Sequence, residues 1–474
     1  MLKGLFDGLT GKSKKTAEEP PPPVPAVQAE KVEVGLPLPD EEPVELPATL
    51  GFVSHQPVMD RQQRVVAYDF FVRQGKKGKP ESGSNQEFDR LLLSTLQNMD
   101  IFRLLAYRRA FVHISLTSLE EPLLRSMSAG SVIFVLEAVP GVAVTADVIA
   151  QLDQLQKLGL RFALEPAAYD PHVLSPALQA DLFSRVDFMV LDFAGPSTRV
   201  LAPILDQLPK RYPGARWMAR NVGTAEDLDV CLRAPGNNRF ALFHGPFVTT
   251  AHALEGGKVD TSQTRVLQIM RLLRTNADPK DVESQFKLDS VLLFKLLRFI
   301  NSPIHGLTRK VQTIEETLLL LGRETLFKWL SMLLFTSRKD DGVAISLLEK
   351  SLIRARFLEK LGSYRGNKLE SEHLFLTGMF SLLDVLLNQP FPDVLDPLEL
   401  PLTVREAVVE QKGIFGPHLA LALACEQGDN VRIEALVKVL DFDLDLANQY
   451  YLDSVVWAQV VLRDSEVHNN VEAV

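Results

Sequence analysis

The sequence predicts an α/β barrel followed by an all-helical domain, behind an N-terminal segment that does not fold. Three observations predict this arrangement. The chain has 474 residues, more than one hydrophobic core usually organises. Short apolar runs alternate with helical stretches over 50–252, whereas 262–463 shows amphipathic helical patterns without a convincing strand. Residues 16–48 are instead rich in Pro, Glu, Val and Ala.

Residues 1–48 are predicted to be a short peptide on a disordered, Pro-rich linker. The first residues carry apolar side chains on one side of a helix and then lysines: Leu2, Leu5, Phe6, Leu9, Lys12, Lys14 and Lys15. This pattern is typical of a weak membrane-surface or partner-docking peptide, but two interrupting glycines favour a frayed terminus. The linker has too little apolar surface to fold, and its PPPPVP run predicts an extended spacer.

Residues 49–255 are predicted to form a (β/α) barrel. Two apolar runs around the polar turn DRQQ predict a β-hairpin. Six further short apolar runs predict strands: AFVHIS, SVIFVLE, RFALE, DFMVLD, ARWMARN and RFALFHG. Helical stretches such as 85–99 and 147–159 separate them. Strands that alternate with helices over this length predict a parallel sheet, closed into a TIM-like barrel.

Residues 256–474 are predicted to be all-helical. Thr313 and Glu316 form a capping box at the start of one helix, and Gly322 is a candidate stop. The seam between the domains, 252–260, is short and contains glycine, so we expect the domains to dock against each other.

Composition and charge exclude several classes of function. The net charge of −9 leaves no basic excess to displace counterions from phosphates, so no general nucleic-acid binder is expected. Cys231 and Cys425 lie far apart without further ligands nearby, so neither a disulfide framework nor a cysteine zinc site is predicted. No apolar run approaches the about 18 residues that span a bilayer, and the start does not resemble a secretory signal. A cytoplasmic protein is expected.

The predicted strand ends carry polar side chains, and chemistry in a (β/α) barrel takes place at these ends. In chain order they are Asp69, His113, Glu137, Glu165 with Pro166, Val190 with Asp192, Arg220 to Gly223, and His244. Their order and spacing resemble the EAL domain, the cyclic di-GMP phosphodiesterase barrel of bacteria, over 50–252. The resemblance implies two divalent metals that hold and activate a water for attack on a phosphodiester.

The first half of the barrel departs from the EAL pattern at three positions. In the family's Glu-x-Leu-x-Arg stretch the acid is shortened to Asp69, while Arg73 is kept. The strand that ends in an asparagine ligand has His113 here. Of the Glu-x-x-Glu pair, only Glu137 remains.

The second half departs further. Glu165 and Pro166 replace the two bridging acids of the Asp-Asp-Phe-Gly stretch, and proline offers no side-chain ligand atom. The lysine of Lys-x-Asp has become Val190, although Asp192 is kept. The remaining substitutions replace the family's Glu-Gly-Val-Glu loop and its last Gln-Gly pair, and they are Arg220, Gly223 and His244.

These changes imply a degenerate site without metal, cofactor or catalytic residue. The acids that remain cannot replace a missing bridge, a missing base and a missing lysine, and Arg220 adds a positive charge. We expect the strand-end carboxylates to be solvated or paired with neighbours such as Arg220. His113 and His244 are expected to be hydrogen-bonded barrel residues.

The helical region resembles the HDOD domain, a relative of the HD phosphohydrolases, on 296–326 and, less specifically, 374–387. No His-Asp dipeptide occurs in the chain. At the position where the family has this dipeptide, the sequence has Ser381 followed by Leu382. The histidines of 262–463, which are His305, His373 and His418, are not at metal-ligand spacing. A metal-dependent HD activity is therefore not predicted.

Together the resemblances imply a bacterial EAL–HDOD signalling protein. The predicted function is a non-catalytic scaffold that acts through protein partners in cyclic di-GMP-related signalling of motility or surface behaviour. One alternative is a cyclic di-GMP receptor, in which Arg73 makes a bidentate contact to phosphate. The other is an active cyclic di-GMP phosphodiesterase.

Overall fold

The structure is a computed structural model. It describes residues 53–72, 85–98, 105, 108–127, 129–139, 143–165, 176–193, 216–233, 240–249, 261–301, 310–311, 313–335, 342–364 and 366–470. The predicted N-terminal peptide and linker lie outside these residues, as do Arg73, Pro166 and His305.

Eight strands form a closed barrel in chain order, which confirms the predicted fold of the first domain. They are β1 Val53–Asp60, β2 Val65–Val72, β3 Arg109–Ser115, β4 Val132–Glu137, β5 Arg161–Leu164, β6 Phe188–Asp192, β7 Arg216–Arg220 and β8 Phe240–His244. β1 is antiparallel to both of its neighbours, β2 and β8, and β1 and β2 form the predicted hairpin. From β2 to β8 each strand is parallel to the next.

The alternation of side chains along each strand divides the barrel into an interior and an outer layer. The interior is an apolar cluster formed by Val58, Ala67, Phe111, Ile133, Val135, Ala163, Phe188, Val190, Met218 and Leu242. Outward-facing residues, such as Phe134 and Phe162, belong to the core that includes the surrounding helices. The inward alternation also decides which side chains reach the two mouths of the barrel.

The described helices of the barrel region are α1 Asn85–Asn98, α2 Pro122–Ser126, α3 Ala146–Lys157, α4 Pro176–Phe183 and α5 Ala225–Arg233. Thr145 caps α3, where its hydroxyl accepts a hydrogen bond from the amide of Val148. The amphipathic pattern of this helix buries Ile149, Leu152 and Leu155.

The second domain is helical over its described residues, as predicted. Its helices are α6 Thr261–Arg274, α7 Pro279–Lys287, α8 Ser290–Ile300, α9 Ile314–Phe335, α10 Gly342–Tyr364, α11 Lys368–Phe380, α12 Leu383–Leu387, α13 Phe391–Leu395, α14 Leu402–Arg405, α15 Gly416–Gln427, α16 Asn430–Val439 and α17 Leu444–Asn470. The amide of Glu316 donates to Oγ1 of Thr313, as the capping box requires. Gly322 has a φ of 75° and interrupts α9, but a second helical segment continues directly after it.

Buried hydrogen bonds join the barrel to the helical domain. Oγ of Ser54 on β1 donates to the carbonyl of Cys425 on α15 at 2.8 Å. The hydroxyl of Tyr68 on β2 donates to Oε2 of Glu349 on α10 at 2.7 Å. Gln459 on α17 donates to the other oxygen of Glu349, also at 2.7 Å. Glu349 is 1% exposed, so its carboxylate depends on these donors in place of water.

Removing one of these donors is expected to destabilise the protein. Tyr68→Phe leaves Oε2 of the buried Glu349 carboxylate without the hydrogen bond from the tyrosine, which should lower the free energy of unfolding by about 1.5–3 kcal/mol. Urea denaturation measures the change. Tyr364→Phe is the matched control, since Tyr364 is 57% exposed, and it should leave the midpoint unchanged. Equal midpoints for the two variants would contradict the expectation.

None of the described helices is long and apolar enough to cross a membrane.

Candidate functional site

The C-terminal ends of the strands bring seven ionisable side chains into one ring, as the sequence predicted. In order around the barrel, from β2 to β8, they are Asp69, His113, Glu137, Glu165, Asp192, Arg220 and His244. Each follows the inward alternation of the interior cluster. Val190 belongs to that cluster, and Gly223 lies between β7 and α5. The ring therefore contains four carboxylates, two imidazoles and one guanidinium.

His113 lies between two carboxylates. Its Nε2 is 2.9 Å from Oδ1 of Asp69, and its Nδ1 is 2.7 Å from Oε1 of Glu137. Burial alone would lower the pKa of His113, but the charges and hydrogen bonds of the two acids raise it to about 9. His113 is therefore an imidazolium at neutral pH, and both ring nitrogens donate.

The same contacts lower the pKa of both acids. Burial would raise the pKa of Asp69, which is 1% exposed, but the charge and hydrogen bond of His113 lower it to about 2. Burial also opposes the shift of Glu137, whose pKa is lowered chiefly by the hydrogen bond from His113. Both acids are therefore ionised and engaged with a cation of the protein itself.

Arg220 bridges the other two carboxylates. Its Nη2 donates to Oε2 of Glu165 at 2.8 Å and to Oδ2 of Asp192 at 2.9 Å. Burial raises the pKa of Glu165, and the charge of Arg220 opposes that shift. A guanidinium is always charged in proteins, so this cation is permanent.

His244 completes the ring as a neutral imidazole. It is 1% exposed, and burial lowers its pKa to about 4. Its Nε2 is 3.5 Å from Oδ2 of Asp69, and its Nδ1 is 3.5 Å from the amide of Asn221. His113 thus makes hydrogen bonds through both ring nitrogens, whereas His244 accepts one long hydrogen bond through Nδ1 and its buried Nε2 has no hydrogen-bond partner among the described residues.

Two further polar residues lie at this mouth: Asn221, which the sequence analysis included in the stretch from Arg220 to Gly223 without giving it a role, and Asp89, which it missed. The side-chain amide of Asn221 donates to both oxygens of Asp192, at 2.8 and 3.0 Å. Asn221 has a φ of 58°, a left-handed conformation that asparagine tolerates better than most residues. The residue type is consistent with such a turn, but the sequence alone does not show that the turn occurs here. Asp89 on α1 accepts hydrogen bonds from the amide and hydroxyl of Ser115 and from the hydroxyl of Ser118.

Ser381, which stands where the HD enzymes have their His-Asp dipeptide, contacts an arginine. Nη1 of Arg354 donates to Oγ of Ser381 at 3.0 Å. The same guanidinium donates from Nε and Nη2 to the carboxylate of Glu426, at 2.6 and 2.8 Å. His373 and His418 both lie against the ring of Phe415. In the described parts of both domains, no group of three or more His, Cys, Asp and Glu side chains is arranged to hold a metal ion.

The HDOD domain model matches residues 261–400, so the helical part of the chain contains an HDOD domain, as the resemblance predicted. The matched segment lies inside the predicted 256–474, whose boundaries stay predictions. The closed eight-stranded barrel before it agrees with the predicted order of an EAL-like barrel and an HDOD domain.

Two curated relatives align with both domains. The chain is 26% identical over 415 residues to the uncharacterized protein YuxH of Bacillus subtilis (strain 168), which covers 86% of this chain and 97% of the relative. It is 25% identical over 435 residues to the cyclic di-GMP phosphodiesterase CdgJ of Vibrio cholerae, which covers 90% of this chain and 97% of the relative.

Similar solved structures include EAL domains. The EAL domain of Mycobacterium smegmatis DcpA is 16% identical, with a TM-score of 0.32, and covers 41% of this chain and 89% of that one. The Bacillus subtilis YkuI protein has an EAL domain and was solved in complex with c-di-GMP and calcium. It is 16% identical to this chain, with a TM-score of 0.33. It covers 51% of this chain and 73% of that one.

Proposed function

We propose that the chain is a non-catalytic cytoplasmic protein of cyclic di-GMP-related signalling that acts by binding protein partners. One observation carries the proposal. The cations His113 and Arg220 lie between the carboxylates that would otherwise be free to bind divalent metals. The resemblance to EAL–HDOD proteins further implies a pathway that touches motility or surface behaviour.

The donor set does not fit the metal pair that the EAL resemblance implies. Divalent metals of this kind need several oxygen ligands each, with tight geometry for Mg²⁺. Asp69 and Glu137 already accept from an imidazolium, and Glu165 and Asp192 from a guanidinium. A metal would have to displace both contacts and remain beside Arg220, which cannot lose its proton.

The relatives support a role in cyclic di-GMP signalling, and one of them also suggests an alternative, an active phosphodiesterase. CdgJ is named as a cyclic di-GMP phosphodiesterase, and it aligns with nearly the whole chain. At 25% identity, the same fold can carry an altered site. The likeness to CdgJ therefore supports the signalling pathway, whereas the proposed loss of catalysis is based on the contacts within the ring.

Incubation with cyclic di-GMP and Mn²⁺ or Mg²⁺ is expected to give no hydrolysis above the rate without protein. Chromatography of the linear product measures it. The double variant His113→Asn, Arg220→Glu restores two ligand types of the EAL pattern, and any rate it gains would show that these cations suppress the reaction. Turnover by the unaltered protein, lost in Glu137→Ala, would contradict the proposal.

The second candidate function is a receptor that binds cyclic di-GMP without cleaving it, with Arg73 as the residue that contacts a phosphate. Titration calorimetry with cyclic di-GMP separates it from the scaffold. Micromolar binding that disappears in Arg73→Ala would favour the receptor, whereas no heat of binding would favour the scaffold.

A further inference from the structure

Three arginines lie at the N-terminal end of the barrel, opposite to the ring. Arg109, Arg161 and Arg216 are the first residues of β3, β5 and β7. Two residues further along each strand are members of the interior cluster, namely Phe111, Ala163 and Met218. Because side chains alternate along a strand, the three arginines share the inward side.

The strand register places these arginines in one layer. Arg161 pairs with Ile133, which in turn pairs with Phe111. Along the hydrogen bonds Arg161 is therefore level with Phe111, two residues beyond Arg109. The same offset separates Arg216 from Arg161. Strands of a barrel are tilted, and this stagger brings residues of alternate strands to the same height along the axis.

One contact places this layer, the floor of the barrel, next to the interior cluster. Cζ of Arg216 lies 4.2 Å from the ring centroid of Phe188. That ring packs edge-on against Phe111 inside the barrel, with centroids 5.5 Å apart. Burial, together with the charges of Arg161 and Arg216, lowers the pKa of Arg109. The positive charges of Arg161 and Arg216 therefore both repel that of Arg109.

No ion pair compensates this repulsion among the residues that the structure describes. The salt bridges of other arginines, such as Arg185 and Arg220, have no counterpart at the three floor positions. Asp187 is the acid whose charge acts on Arg109, and its carboxylate also faces the amide of Phe162 at 3.4 Å. Arg109 and Arg161 are half-buried and Arg216 is exposed, so an anion from solution can reach the three guanidinium groups.

We propose that Arg109, Arg161 and Arg216 form a binding site for a phosphate or diphosphate group at the N-terminal end of the barrel. The planar fork of a guanidinium donates two parallel hydrogen bonds to phosphate oxygens. Three forks that converge from alternate strands surround such a group. The ligand class is a phosphorylated small molecule or free polyphosphate, held at the end of the barrel opposite to the ring.

Titration of the full chain with inorganic pyrophosphate at constant ionic strength tests the site. We expect one equivalent to bind, and Arg161→Gln or Arg216→Gln to weaken the affinity by about tenfold or more, since each removes charged hydrogen bonds. Arg432→Gln, an exposed position on α16, is the matched control and should leave the affinity unchanged. Equal affinity in the floor variants and the control would overturn the proposal, as would no binding to the unaltered chain.

A second experiment measures thermal stability instead of the heat or stoichiometry of binding. Without pyrophosphate, Arg109→Gln relieves the repulsion, so its thermal unfolding midpoint should be at or above that of the unaltered chain. With pyrophosphate at a concentration near the dissociation constant of the unaltered chain, that chain should gain more stability than Arg109→Gln, because a ligand that binds the folded state raises the midpoint according to its affinity. An equal gain in both proteins would overturn the proposal. Phosphate or a nucleoside diphosphate in place of pyrophosphate then distinguishes the sources of the group.

Discussion

Arg354→Ala is expected to lower the free energy of unfolding of the helical domain by about 3–5 kcal/mol. Arg354 is 4% exposed and Glu426 8%, and two parallel hydrogen bonds join them. Burial would raise the pKa of Glu426, but the charges of Arg354 and then Lys350 lower it. Without Arg354, the salt bridge that the buried carboxylate retains among the described residues is to Lys350, whose Nζ is 3.8 Å away. The loss therefore exceeds that of an ordinary surface pair.

Urea denaturation followed by circular dichroism measures the effect. Arg432→Ala is the control, because it removes an exposed arginine and should change the midpoint little. The double variant Arg354→Met, Glu426→Leu should recover much of the lost stability, since it removes both buried charges. A loss below about 1 kcal/mol in Arg354→Ala, the size of a surface pair, would contradict the expectation.

Stability should also fall as the pH rises from about 6.5 to about 9, through loss of the His113 contacts. The pKa of His113 is raised from 6.5 to about 9 in the folded protein. Below 6.5 both the folded and the unfolded chain hold the proton, so the full contribution is present. Between the two values only the folded chain holds the proton. The free energy of unfolding therefore declines over this range by an amount on the order of 3 kcal/mol, and above about 9 the contribution of His113 is lost.

The acid limb has the opposite sign. The pKa of Asp69 is lowered from 3.8 to about 2, so its contribution is present above 3.8 and is lost as the pH falls towards 2. Urea midpoints measured across both ranges test the pair. His113→Gln should flatten the decline on the alkaline side, whereas the control His418→Gln should keep it. The same slope in both variants would rule out His113 as its source.

The sequence identified the ring but not its pairings. Alternation along each strand places Asp69, His113 and Glu137 at one mouth, and this depends only on strand ends. The contacts from His113 to acids 44 and 24 residues away depend on side-chain geometry in the closed barrel. For Arg220 the sequence left solvation and pairing open, and the structure shows pairing with Glu165 and Asp192.

Other features had no local signal. Glu349 stands in a helical stretch where a charged residue usually faces water, and only the packing of the two domains shows that it is buried. The floor arginines begin predicted strands, but the sequence argument followed function at the opposite strand ends. Gly322 was predicted to stop a helix, and one helical segment does end there, but the sequence analysis did not predict that a second segment begins directly after it.

Tyr68 and Asp69 are consecutive on β2, so one peptide bond separates the joint between the domains from the ring of charges. Tyr68 reaches outward to the helical domain, and Asp69 reaches inward to His113. A partner that separated the helical domain from the barrel would therefore break a hydrogen bond made by the residue next to Asp69. Strand β2 thus contributes to both the contact between the domains and the ring.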